Sequence, residues 1–229
     1  TLRKSFTITV TDVNDAPSFT SGATTSFAEN GTGAAYTATA SDPDAGTTLN
    51  YTLGGTDADL FNIDASTGVV TFKSAPNFEA PADAGANNVY DISVTATDNG
   101  TGSLSDTQAV TITVTNVNDA PVAVIDTLAA NEDTAVTFTA ASLLGNDTDA
   151  DGNTLSIKSV TSGTGGTALL NIDGTITFTP TANFNGAASF SYIATDGTAD
   201  TAATTVTVNV GAVNDVPVIT SGATGSVAE

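Results

Sequence analysis

A short acidic phrase, V-N-D followed one residue later by proline, occurs three times in this chain. It reads D-V-N-D-A-P at residues 12–17, N-V-N-D-A-P at 116–121 and A-V-N-D-V-P at 212–217. The copies are almost evenly spaced, with 104 residues from Asn14 to Asn118 and 96 from Asn118 to Asn214. Self-similarity at a fixed period indicates an array of like units, and about 100 residues suits a domain with one core. Each copy follows an alternating apolar run (Phe6, Ile8, Val10; Val110, Ile112, Val114; Val206, Val208, Val210) that reads as a strand, and its proline bars the strand from continuing. The phrase therefore lies between domains and fixes a carboxylate and an amide at each junction. T-S-G-A-T also recurs, at 20–24 and 220–224, and each copy leads to an Ala-Glu pair ending at Glu29 or Glu229. The expected organisation is the last strand and linker of a preceding module in 1–15, whole modules in 16–119 and 120–215, and the start of another in 216–229.

Within the modules the pattern is all-β. Short alternating runs are separated by the turn dipeptides Asn30-Gly31, Asn99-Gly100, Asp151-Gly152, Asp173-Gly174, Asn185-Gly186 and Asp196-Gly197. No stretch carries apolar residues at helical spacing over three turns. Strands are expected near 24–28, 34–40, 49–53, 60–63, 69–73, 89–97 and 107–115 in the first module. In the second they are expected near 122–126, 135–140, 155–160, 168–172, 175–179, 188–195 and 203–210, with Lys158 on a solvent face. Seven short strands per module predict tandem seven-stranded Greek-key β-sandwiches.

The residue types narrow the chemistry. Four cationic side chains (Arg3, Lys4, Lys73, Lys158) face 25 acidic ones, a formal charge of −21, so nucleic acid and anionic membranes repel the chain. Cysteine and histidine are absent, which removes disulfides, thiolate sites, the commonest general base and the usual transition-metal ligand. Oxygen ligands remain, and they select hard cations. No apolar run approaches the ~18 residues of a membrane span, and no signal peptide is present, so the chain is read as a piece of a longer protein.

The acidic residues fall into repeated constellations. The first module has Glu29 in A-E-N, Asp42 and Asp44 in D-P-D, Glu79 in N-F-E and Asp98 in A-T-D-N-G; the second has Glu132 in N-E-D, then Asp147, Asp149 and Asp151 in D-T-D-A-D-G, N-F-N at 183–185, and Asp196 in A-T-D-G. Singly, each is an ordinary turn residue. In this order, together with F-N-I-D-A-S-T-G-V-V at 61–70, V-T-A-T-D-N-G at 94–100 and the N-V-N-D-A-P exit, the first module resembles the cadherin superfamily over nearly all its length. It is most similar to bacterial cadherin-like modules of large secreted or surface adhesins. The second resembles a related bacterial cadherin-like or immunoglobulin-like repeat, through L-L-G-N-D-T-D-A-D-G-N-T-L at 143–155 and P-T-A-N-F-N-G-A-A-S-F-S-Y at 180–192.

The resemblance implies Ca²⁺ clustered at each junction. At the central one the implied ligands are Glu29 and Glu79 from below, Asn116, Asn118 and Asp119 from the linker, and Asp147, Asp149 and Asp196 from above. At the first they are Asp12, Asn14, Asp15, Asp42, Asp44 and Asp98; at the third, Glu132 and Asp215. Calcium takes six to eight oxygens at about 2.3–2.6 Å, a demand such sets suit. Departures from the family pattern are Ala16, Ala120 and Val216 after the linker aspartate, Asn77 ahead of Glu79, and Asn185 at the position of Glu79. Asp151 reads as an addition. It makes D-T-D-A-D-G look like an EF-hand opening, but the twelfth loop position is Lys158. The expected order of occupancy puts the central junction first, the first junction next and the third last.

Three function classes follow. The leading one is a non-catalytic, calcium-stiffened adhesion or extender module, outside the cell or on a bacterial surface. Its partners would be neighbouring repeats, other adhesin copies in homophilic or head-to-tail pairing through the apolar ends at 6–10 and 216–226, or surface glycans, without nucleic acid or direct membrane insertion. The alternative is a calcium-dependent carbohydrate-binding module of a polysaccharide-degrading or surface system, weakened by the absence of Trp. An enzyme acting through two carboxylates is the third; the junction motif already accounts for every clustered carboxylate.

Overall fold

The computed structural model describes residues 3–217. The chain divides into two compact units, with the boundary between Val117 and Asn118. Residues 218–229, which include most of the expected following module and its apolar end, lie outside the described residues.

In the first unit the strands are β1 Ser18–Phe19, β2 Thr24–Ala28, β3 Ala34–Thr37, β4 Ala40–Ser41, β5 Asn50–Gly54, β6 Phe61–Ile63, β7 Val69–Phe72, β8 Val89–Thr97 and β9 Ser105–Thr115. Four of them form one sheet in the order β2-β9-β8-β5, three form a second in the order β3-β7-β6, and β1 pairs with β4. Strict alternation makes the two long strands: Tyr90, Ile92, Val94 and Ala96 on β8 and Val110, Ile112 and Val114 on β9 are buried, while their sequence neighbours are not. Phe61 and Phe72 meet Tyr90 edge to face, with ring centroids 5.9 and 5.1 Å apart. Such rings are among the largest apolar contributions to a core this lean in aromatics.

The second unit repeats the plan with β10 Asp126–Asn131, β11 Val136–Phe138, β12 Ser156–Ser162, β13 Gly166–Leu170, β14 Ile176–Pro180, β15 Gly186–Thr195 and β16 Thr204–Gly211. Its sheets are β10-β16-β15-β12 and β11-β14-β13. A single helical turn, α1 Ala141–Leu144, places Leu143 in the core with no exposed surface. Two β-sandwiches in tandem are therefore the architecture, as the repeat pattern predicts.

Two local expectations change. The alternating run at 6–10 forms no strand with the described residues, and Phe6, Ile8 and Val10 are exposed; alternation becomes a strand only where a ladder partner and an apolar face receive it. In the second unit the opening strand is Asp126–Asn131 rather than 122–126, because its parallel register with β16 sets Leu128 against Val208. Val122, Val124 and Ile125 are left exposed, with one isolated bridge from Val122 to Thr148. Lys158 is exposed as expected and forms an ion pair with Asp200.

Candidate metal centre

Each unit gathers carboxylates at the end where its linker enters, and again where its last strand leaves. At the entry of the first unit, Asn14 Nδ2 donates to Asp98 Oδ2 at 2.8 Å and the Asp15 N–H donates to Asp44 Oδ2 at 2.8 Å. Asp98 is buried because it also closes its own turn, accepting from the N–H groups of Gly100 and Leu104. Asn14 Oδ1 occupies the space a Cβ at Gly100 would fill, so a larger residue there would displace the Asn14 amide. Asp42 Oδ1 accepts the Asp44 N–H at 2.8 Å, whereas its Oδ2 is buried and has no hydrogen-bond partner. Asp12 is exposed.

The second unit reproduces the two linker bonds of this arrangement. Asn118 Nδ2 donates to Asp196 Oδ2 at 2.8 Å, and the Asp119 N–H donates to Asp151 Oδ2 at 2.7 Å. Asp149 Oδ1 accepts the Asn153 N–H at 3.0 Å, and Asp149 Oδ2 is buried without a partner, as Asp42 Oδ2 is. The N–H of Ala199 foremost, then the Asn118 amide and the Thr198 N–H, hold the Asp196 carboxyl below the usual carboxylate range. The aspartates answering Asp42 and Asp44 are thus Asp149 and Asp151. Asp151, read from the sequence as an addition, makes the backbone contact that Asp44 makes. Asp147 is instead engaged at Tyr192, whose hydroxyl donates to its two oxygens at 3.0 and 2.9 Å, and at the Val124 N–H. Burial, then the charge of Asp147, pushes the neighbouring Asp126 carboxyl up.

At the exit of the first unit Glu29 is buried and divides its carboxylate between two backbone donors, the N–H of Phe78 and that of Val117, each at 2.8 Å. Phe78 is held from its other side as well, since Asn88 Nδ2 donates to its carbonyl at 2.8 Å. This double hold positions Glu79, and one carboxylate oxygen of Glu79 lies within 4.8 Å of one from Glu29. Two such charges repel by about 3.5 kcal/mol at an effective dielectric near 20, less as solvent screens the exposed Glu79. The arrangement fits a metal ion. Asn116 is exposed directly after β9. Asn77, where the family pattern has aspartate, accepts the Ala80 N–H at 2.7 Å and closes the turn instead.

Glu132 at the exit of the second unit is also buried, and its Oε1 accepts the Val213 N–H at 2.7 Å. Its Oε2 accepts from Asn185 Nδ2 at 3.4 Å. Asp215 is exposed, and its carbonyl accepts from Asn214 Nδ2 at 3.3 Å.

Two further buried carboxylates escape the sequence reading. Asp57 accepts from the N–H groups of Ala84 and Asp91, and Asp83 from those of Asn87 and Asn88. They tie down the loop between β7 and β8 that carries Glu79. No motif marks them, because any loop with stranded N–H groups recruits such an acceptor.

The donor set as a whole suits a hard cation: oxygen ligands throughout, no imidazole or thiolate, and one buried, unpartnered carboxylate oxygen at the same place in each unit.

This geometry agrees with what the chain is similar to. Residues 24–115 match the family model of the cadherin domain and residues 117–211 that of the cadherin-like domain. The chain therefore carries two domains of the cadherin family. Such domains are, in general, calcium-dependent extracellular adhesion modules without catalytic activity. Among solved structures it is similar to human protocadherin-24 EC1-2, at a TM-score of 0.59 and 19% identity over 86% of this chain and 100% of that one. It is also similar to Drosophila N-cadherin EC1-4, at a TM-score of 0.53 and 20% identity over 86% of this chain and 50% of that one. At these identities the likeness is one of fold. No curated protein matches the sequence. Among the described residues no helix is long and apolar enough to cross a membrane.

Proposed function

We propose that this chain is a calcium-binding, non-catalytic adhesion or extender module, in which Ca²⁺ held where repeats meet stiffens the array. The carrying observation is the repeated buried oxygen: Asp42 Oδ2 and Asp149 Oδ2 lack partners at matching positions, each beside an aspartate that its linker backbone already binds. A buried carboxylate oxygen without a donor is unfavourable unless a cation meets it. In the entry sites the ion would be held by Asp42, Asp44 and Asp98, and by Asp149, Asp151 and Asp196; at the first exit, by Glu29 and Glu79, with Asp119 as the carboxylate following Val117 by two residues. The ion supplies fixed positive charge and oxygen coordination.

The setting we propose is an extracellular array, on a bacterial surface or secreted from it. Extracellular calcium modules bind at about 10⁻⁴–10⁻³ M, so filling would await export. Against the carbohydrate-binding alternative, all four tyrosines are buried, and Phe6 is the one aromatic side chain that is exposed among the described residues.

Melting the protein in millimolar calcium and in chelator tests this. Calcium at about 100 times Kd adds about 2.7 kcal/mol for a site present only in the folded state. Equal melting temperatures in the two conditions would overturn the proposal.

A further inference from the structure

The two units leave their last strands in the same way but balance the charge there differently. Glu29 binds the Val117 N–H and Glu132 binds the Val213 N–H, at 2.8 and 2.7 Å, so each glutamate pins the residue where the chain exits. In the first unit a second carboxylate, Glu79, approaches. In the second unit the residue ending the equivalent N-F-x turn is Asn185, and its amide donates to the glutamate.

We infer that Asn185 takes the place of a cation at the exit of the second unit, so that this end keeps its geometry without calcium. The inference rests on the proposed role of calcium at the first exit, and it makes the two exits unequal.

Backbone register sets the contact. β16 lies between β10 and β15. Asn131, just before Glu132, pairs with Gly211 of β16, and Gly186, just after Asn185, pairs with Val210 of the same strand. The Glu132 N–H adds a bond to the Gly211 carbonyl at 3.0 Å. Glu132 and Asn185 are thereby fixed on adjacent rungs, one on each side of β16. A carboxamide there offers N–H donors to a buried carboxylate. Aspartate or glutamate offers none, and the exit would then need a metal.

The test is residue-resolved amide exchange on the whole chain in calcium and in chelator, with bound calcium counted by native mass spectrometry. In the parent, Val213 protection is expected to be equal in both conditions while Val117 protection falls in chelator. Asn185→Asp should lose about tenfold of Val213 protection in chelator, recover it in calcium and bind one more ion. Asn185→Ala should lose protection at Val213 in both conditions. Parent Val213 protection that falls in chelator would overturn the inference, as would Asn185→Asp behaving like the parent. Val117 protection indifferent to chelator would instead count against calcium at the first exit; the parent and Asn185→Ala readings at Val213 would still decide the role of Asn185.

Discussion

Asn118 and Asp196 are joined by a 2.8 Å hydrogen bond from amide to carboxylate, and the same bond, also 2.8 Å, joins Asn14 to Asp98. The linker asparagine thus orients the carboxylate of the next domain's last turn before any metal arrives. Asn118 is itself held, since Asn153 Nδ2 donates to its Oδ1 at 3.2 Å. Preorganisation of this kind reduces the ordering that binding would otherwise require.

Asn118→Ala should therefore weaken calcium binding and lower the stability of the second unit by about 0.5–1.5 kcal/mol, the net worth of one hydrogen bond. A double-mutant cycle with Asp196→Asn, read by chemical denaturation in chelator, should show coupling between the two. Strict additivity would mean that the bond has no energetic content.

Asp151→Asn and Asp147→Asn should separate binding from folding. Asp151 answers Asp44 beside the unpartnered Asp149 oxygen, so its loss should reduce calcium affinity with a small change in the chelator melting temperature. Asp147 is bound to Tyr192, whose ring has no exposed surface. Its substitution should lower the melting temperature in chelator, by several degrees if about 1 kcal/mol is lost. Calorimetric titration paired with thermal melts gives both quantities.

Glu29→Ala strips the acceptor from two backbone N–H groups at once. A cost of about 1–3 kcal/mol to the first unit is expected, measurable by denaturation in chelator. Glu29→Gln keeps one acceptor oxygen and should recover part of it, while losing the part of the calcium response that arises at the first exit.

Asp126 supplies a pH test. Its folded carboxyl is raised by burial and by Asp147, so at neutral pH the ionised form weighs against folding. That penalty is complete above the raised folded pKa, shrinks as the pH falls through it and vanishes below the ordinary carboxylate value. Asp126→Asn should accordingly stabilise the second unit at neutral pH in chelator and lose the advantage in acid. A gain of equal size at both ends would show that charge is not the cause.

Much of the architecture was legible because strands of period two with glycine turns leave few alternatives: 24–28 and 89–97 match β2 and β8 to the residue. The second unit's opening was harder. Residues 122–125 are more apolar than Asp126–Asn131, yet the ladder with β16, a contact 80 residues away in sequence, decides which run becomes the strand. α1 is one turn long, too short for periodicity to register, and is ordered by burial of Leu143. The exchange of roles between Asp147 and Asp151 has a similar origin. Counting forward from the first acidic residue selects Asp147, whereas taking the last acidic residue before the leucine that closes each segment, Asp44 before Leu49, selects Asp151 before Leu155, even though that segment is one residue shorter.

The parallel pairing of β2 with β9 and of β10 with β16 has a mechanical consequence. The first and last long strands of each unit lie side by side over five and six rungs respectively, pointing the same way. Tension applied through the linkers pulls one strand backward and its neighbour forward along their common length, loading every rung together in shear. An antiparallel hairpin pulled from its open end would unzip one rung at a time. Each unit is thus wired to bear load along its own strands, and the force that opens it must break the terminal ladder as a whole.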